Sequence, residues 1–296
     1  MGSSLNPLVS NDRQRRLKNH LISGLCLVCV GLALIPLGSI LFEVIVRGLP
    51  AINIDFFTKT PGIIGQPGGG IAEAIQGTLI LVGLTCLIGV PIGVFAGVYL
   101  AEFGDNAFGR VIRFLNDVLT EFPSIVVGIL AYSLIVLSTR SYSAWAGAVA
   151  LSFIMMPIVA RTTEESLKVV PNTVRDAAAA LGIRRWRSTF SVVITTGKNG
   201  VITGVLLSVA RIAGETAPLI LTVLGSSLLF NLNNPLGSLR RPIDALPLRI
   251  YRYALLPYPD AIQQGWGAAL VLIMMVLSIN ILVRIATRGR GYGVKA

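Results

Sequence analysis

Long uncharged apolar runs, separated by short polar segments, set the pattern of this chain. Six runs stand out: Leu21–Phe42, Ala74–Ala101, Phe122–Thr139, Ser141–Ala160, Asn199 to about Leu224 (broken by two charges, Arg211 and Glu215), and Ala261–Val283. A bilayer core about 30 Å thick takes roughly 20 residues of helix, so each run reads as a membrane-crossing helix. The second run has 28 residues and contains Pro91. At about 1.5 Å per residue it exceeds the core, and is expected to tilt, kink or project into water. The first run follows Arg13, Arg15, Arg16 and Lys18, as a signal peptide would. Its 22 apolar residues exceed the roughly 7–15 of a cleavable segment, and no clean small-x-small site follows, so it reads as a permanent anchor.

Basic residues between the runs give the orientation. Seventeen Lys and Arg fall on the side that holds both ends and the loops after the second and fourth runs; seven fall on the other. The richer side is expected to be cytoplasmic, placing both termini there. Apolar residues make up 53% of the chain and charged residues 13%. A soluble domain carries about 25% charge, so this surface is expected to face lipid. The net charge of +11 then reports topology, since no nucleic-acid module is present. Cys26, Cys29 and Cys86 all lie in apolar runs. With no metal-ligating neighbours in sequence, Cys26-x-x-Cys29 reads as ordinary packing, and no metal site is expected. His20 and Met155-Met156-Pro157 likewise suggest no metal chemistry. The expected fold is all-α and polytopic: a cytoplasmic tail (1–20), a first transmembrane helix (21–46), an outer loop (47–71), a core of five further spans (72–287) and a second cytoplasmic tail (288–296).

The loop after the fourth run holds the most informative soluble segment. Pro171-Asn172-Thr173 supplies helix-start residues, Asp176-Ala177-Ala178-Ala179-Ala180 favours helix, and Gly182 suits a C-terminal cap. A short helix over about 173–184 is expected. Asp176, Ala177, Ala178 and Gly182 resemble the "EAA" loop of bacterial ABC-importer permeases, with Asp for the usual Glu and Thr195 where Pro usually closes the motif. The resemblance implies a type I (MetI-like) permease fold, whose coupling helix seats in a cleft of the ATPase. This chain has no P-loop of its own. Gly197-Lys198-Asn199 lacks the Ser/Thr and the upstream Gly, and Gly68-Gly69-Gly70 lacks the Lys. It is therefore expected not to be an enzyme and to hold no cofactor, with ATP and Mg bound by a partner.

The fifth run carries Arg211 and Glu215, four residues apart. A charge at mid-bilayer costs at least ~2.5–3.5 kcal/mol, so Arg211 needs a partner or a water-filled path. One reading is a structural ion pair. The other is a substrate path: a guanidinium presents a fork of donors to an oxyanion and stays charged. A carboxylate beside it accepts from the O–H of a protonated oxyanion such as hydrogen phosphate, which sulfate lacks. Glu121, Pro123 and Ser124, opening the third run, admit both a helix-start and a pathway reading.

The stretch Ala210–Thr222, ARIAGETAPLILT, is similar to the signature of the PstA family, permeases of bacterial high-affinity phosphate importers. Leu115–Tyr132, Gly77–Phe103 and Leu246–Ala254 agree, so the likeness covers the chain from about Ala72. It implies a phosphate path through Arg211, Glu215 and Thr216. It also implies a heterodimer with a PstC-like permease, a PstB-like ATPase dimer, a PstS-like phosphate-binding protein and a place in the plasma membrane. Alternatives are a sulfate, molybdate or phosphonate importer, or, in another class, a passive anion channel or a phosphate-signalling subunit. The outer segment from Gly225 to Asp260 reads equally as a docking cap and as an interfacial anchor.

Overall fold

The computed structural model describes residues 10–63, 66, 68–231 and 233–288. Residues 1–9 of the expected N-terminal tail and 289–296 of the C-terminal tail lie outside the described residues. Among the described residues every regular element is helical. In order they are α1 (Ser10–Gly48), a 3-10 turn (Leu49–Ala51), α2 (Ile54–Thr58), α3 (Ala72–Phe103) and α4 (Ala107–Glu121). Then α5 (Ser124–Ala131) runs through a π turn into α6 (Leu137–Thr139), followed by α7 (Ala144–Lys168) and α8 (Asn172–Ala180). Next α9 (Arg185–Ser188) runs through a second π turn into α10 (Ile194–Ala213), followed by α11 (Ala217–Thr222), α12 (Pro235–Leu239), α13 (Leu246–Ala254) and α14 (Pro259–Arg288).

Five helices are long and apolar enough to cross a bilayer, and a bent pair makes a sixth. That pair turns by 105° between α4 and Ser124–Thr139. The expected third span is thus the second limb alone. Pro123 sets the corner, since a proline excludes helix from the residue before it. The helix before the corner was not foreseen. Phe108, Val111 and Leu115 share its exposed side, while Arg113 turns toward α7. The predicted first span lies within a longer helix, α1, whose lipid-length stretch is unburied while its end at Gly48 packs on Trp266 of α14.

The centre of the bundle is α7, whose spanning stretch is two-thirds buried. Glycines let its neighbours approach. On α3, Gly89, Gly93 and Gly97 face Met155, Val159 and Ala160/Thr163, in a parallel register; a Cβ on Gly93 would sit 2.7 Å from the Val159 Cβ. On α10, Gly197, Gly200 and Gly204 face Leu167, Ser166 and Thr162, in an antiparallel register. Water-driven burial is absent between helices in lipid, so close backbone approach over small residues takes its place. A core of Leu81, Leu151, Met155, Val159, Ile212 and Leu219 fills the interior.

Candidate functional site

The fifth span is broken. α10 ends at Ala213, Gly214–Thr216 leave the helix, and α11 resumes at Ala217. Glu215 therefore does not continue the helical face of Arg211, as its spacing predicts. The two nonetheless meet, with Arg211 Nε 3.7 Å from Glu215 Oε1, and Arg211 sits in the last helical turn, where the carbonyl end favours a cation.

Using α7 as a ruler gives the depth. Gly204 lies against Thr162 on one side of the break, and Leu219 against Gly147 on the other. The Ser143 amide donates to the Thr222 carbonyl farther out. This register sets Arg211 level with Met155, about 9 Å from Arg161 and about 16 Å from the outer end of α7 at ~1.5 Å per residue. The charged break is therefore near mid-bilayer.

Arg211 reaches the open surface of this chain. Its side chain is 57% exposed and that of Glu215 15%. Thr196, Asn199, Thr203 and Leu207 are also exposed and continue the same face toward the cytoplasmic end at spacings of three or four. A face with a guanidinium, an amide and two hydroxyls is poorly suited to lipid. The stripe is legible in the sequence from its helical spacing, beside the two charges. Thr216 is half-buried and accepts at its carbonyl from the Leu219 and Ile220 amides. Glu121 and Pro123 are exposed and Ser124 half-buried at the corner before α5. They share no hydrogen bond or ion pair with Arg211 or Glu215 among the described residues, but Gly128, one turn past Ser124, packs its backbone on Pro218.

The second locus lies on the side expected to be cytoplasmic. α8 runs Asn172–Ala180, shorter than the predicted 173–184. Gly182, at φ 71°, ends it: the Gly182 amide donates to the Ala179 carbonyl and the Ile183 amide to Ala178. This glycine-capped termination stops the helix before the run of arginines. Asp176, Ala177 and Gly182 are exposed, whereas Ala178 packs inward. Val169, Leu181 and Trp186 add large exposed apolar surface around the helix, at 82%, 80% and 58%.

The outer segment is anchored by buried charge. Arg249 is 5% exposed; it donates through Nε to Asp244 Oδ2 at 2.7 Å and through Nη2 to Glu73 Oε1 at 2.6 Å, with the Tyr253 hydroxyl 3.1 Å from Nη1. Burial alone would lower the Arg249 guanidinium, but Asp244, Tyr253 and Glu73 outweigh it and raise it. Thr78 Oγ1 accepts from the Leu246 amide and Gln76 Oε1 from the Phe230 amide. Counted from sequence as a loop charge, Arg249 is instead the inner fastener of α13 to α3.

Residues 89–289 match the family described as "Binding-protein-dependent transport system inner membrane component". The chain is 43% identical over 273 residues to a Haemophilus influenzae protein named "Phosphate transport system permease protein PstA", covering 92% of this chain and 94% of that one. A Pasteurella multocida protein of the same name is 42% identical, with 92% and 95% covered. Among solved structures, a chain of a bacterial alginate ABC transporter superposes with a TM-score of 0.61 at 15% identity, covering 93% of this chain and 97% of that one. A chain of the MetNI methionine ABC transporter gives 0.55 at 17% identity, covering 74% and 94%.

Proposed function

Because the chain belongs to the binding-protein-dependent transport permeases, and within them to the PstA group, we propose that its broken fifth span lines a phosphate path shared with a second permease. The chain is a multi-pass permease subunit of a phosphate ABC importer, not an enzyme. The finer assignments are ours. The second permease is PstC-like, the ATPase is a PstB-like dimer that binds the ATP and Mg, and the external donor is PstS-like. Both termini lie in the cytoplasm. α8 is the helix that docks on the ATPase, through Asp176, Ala177 and the glycine-capped end at Gly182.

The observation that carries the path is Arg211. It is a cation near mid-bilayer, on an exposed polar face of a helix that breaks two residues later. Discontinuous spans place freed backbone and charge at the substrate depth of transporters. Arg211 supplies an anion with a fixed fork of donors; Glu215, the less exposed of the two, accepts from the anion's proton; Thr216 lies beside them at the turn. Movement of α8 alternately opens the path to each side. Glu121, Pro123 and Ser124 form the corner from which α5 reaches α11, and their contribution is to hold that wall.

Phosphate-stimulated ATP hydrolysis by the reconstituted complex tests this reading. Stimulation by binding protein and phosphate is expected in the wild type. Arg211→Ala is expected to abolish uptake while leaving assembly with the ATPase intact. Equal stimulation by sulfate would transfer the assignment to another oxyanion.

A further inference from the structure

We propose that Arg175 is the positioning residue through which α8 drives the bundle, as one of two reciprocal arginine clamps at the cytoplasmic ends of α3 and α7. The proposal rests on the reading of α8 as the ATPase-docking helix.

The two clamps mirror each other. Arg175, on α8, donates from Nε and Nη2 to Glu102 Oε1 at the end of α3, at 2.9 and 2.7 Å. It also donates to the Leu167 carbonyl at 2.9 Å and the Val170 carbonyl at 2.5 Å, at the end of α7. Arg113, on α4, donates to Glu164 of α7 at 2.9 Å and to the Leu100 and Gly104 carbonyls of α3, each at 3.0 Å. Each guanidinium thus caps one helix of the pair and holds the acid of the other. Terminal carbonyls lack intrahelical partners, and a cation at that end also suits the helix dipole.

These bonds differ from the surface pairs elsewhere. Glu102 and Glu164 side chains are 4% and 11% exposed, against 69% and 66% for Asp117 and Glu165 beside Arg161. Exposed pairs of the latter kind contribute little. The packing of α8 shows why Arg175 matters. Ala178 is its one fully buried residue, and Val174 is only half-buried against a small core of Val98, Leu167, Val170 and Val193. A helix so lightly packed passes force mainly through its directional bonds. Arg185, just past it, reinforces the tie: it donates to the Glu102 carbonyl and stacks 4.8 Å over Phe103. Displacing α8 must therefore move the end of α3 or break a buried fork of charge-assisted bonds. The Gly89–Gly93–Gly97 contact passes that displacement on to α7.

The test uses the complete complex of this chain with its sister permease, ATPase and binding protein, in proteoliposomes. Phosphate uptake and ATP hydrolysis are measured together for wild type, Glu102→Gln and Arg175→Lys. Glu102→Gln keeps size and removes the charge, whereas Arg175→Lys keeps the charge and removes the fork of donors. Phosphate transported per ATP is expected to fall about tenfold, the loss of one charge-assisted bond, while the ATPase still copurifies and hydrolyses ATP. A ratio unchanged from wild type, with or without a parallel loss of both rates, overturns the proposal. So does failure of both variants to assemble, which would make the clamp merely structural. A wild-type complex that hydrolyses ATP without moving phosphate would instead defeat the permease reading itself.

Discussion

Arg211 and Arg249 show how one residue type serves two ends in the same chain. Arg249 is enclosed by Glu73, Asp244 and Tyr253, so its charge is neutralised and its position fixed. Arg211 has one acid at 3.7 Å and more than half its side chain open, so donors remain for another anion. Arg249→Leu leaves Glu73 buried without its cation and Asp244 with only Arg252, 3.9 Å away. Breaking a buried pair costs about 3–5 kcal/mol, and a marked drop in thermal unfolding temperature in detergent is expected. Adding Glu73→Gln and Asp244→Asn to Arg249→Leu is expected to recover much of that loss. Glu215→Gln bears on selectivity instead. If the carboxylate accepts from the hydroxyl of hydrogen phosphate, the variant is expected to lose about tenfold or more in preference for phosphate over sulfate in competition uptake, as a mispaired buried acceptor costs. An unchanged rate and preference would remove Glu215 from the path.

At the scale of elements, glycine placement decides which helices meet. Gly93→Leu forces a side chain into Val159 and the Met156 carbonyl, whereas Gly31 on α1 has nothing within 4 Å. Overpacking of this kind costs about 1–3 kcal/mol or more. Gly93→Leu is thus expected to lower the unfolding temperature of the isolated subunit, and Gly31→Leu to leave it unchanged. Apolar run length made the spans visible, because the bilayer imposes it; the helix around Asp176–Ala180 was visible from propensity, and its glycine cap from Gly182. The register of α3 and α10 on α7 was less visible. It is written in glycines at three- and four-residue spacing, which a count of apolar residues treats as filler. The break after Ala213 was hidden for a related reason. Gly214 and Pro218 are both tolerated inside membrane helices, so neither signals an interruption by itself. α4 escaped notice because its apolar positions are periodic rather than continuous, and a search for runs passes over them.

Seen whole, the subunit is a bundle built around α7, fastened on each side of the membrane by buried or half-buried arginines. Arg249 closes one side, and Arg113 and Arg175 the other, which the charge distribution predicts to be cytoplasmic. Between them lies an exposed polar stripe that ends at Arg211, and one subunit leaves that stripe open. This explains why the substrate was less legible than the fold. On the proposed function a second subunit faces Arg211, so charge and spacing in this chain point to an anion but not to which one. Relatives at 42–43% identity carry that step, since their names concern phosphate transport. The most direct measurement is ATP-dependent uptake of labelled phosphate into proteoliposomes holding the complete complex, with wild type and Arg211→Ala compared at equal assembly. The wild type is expected to accumulate phosphate in preference to sulfate, and Arg211→Ala to accumulate none above background. Undiminished uptake by Arg211→Ala would contradict the placing of the path along this face.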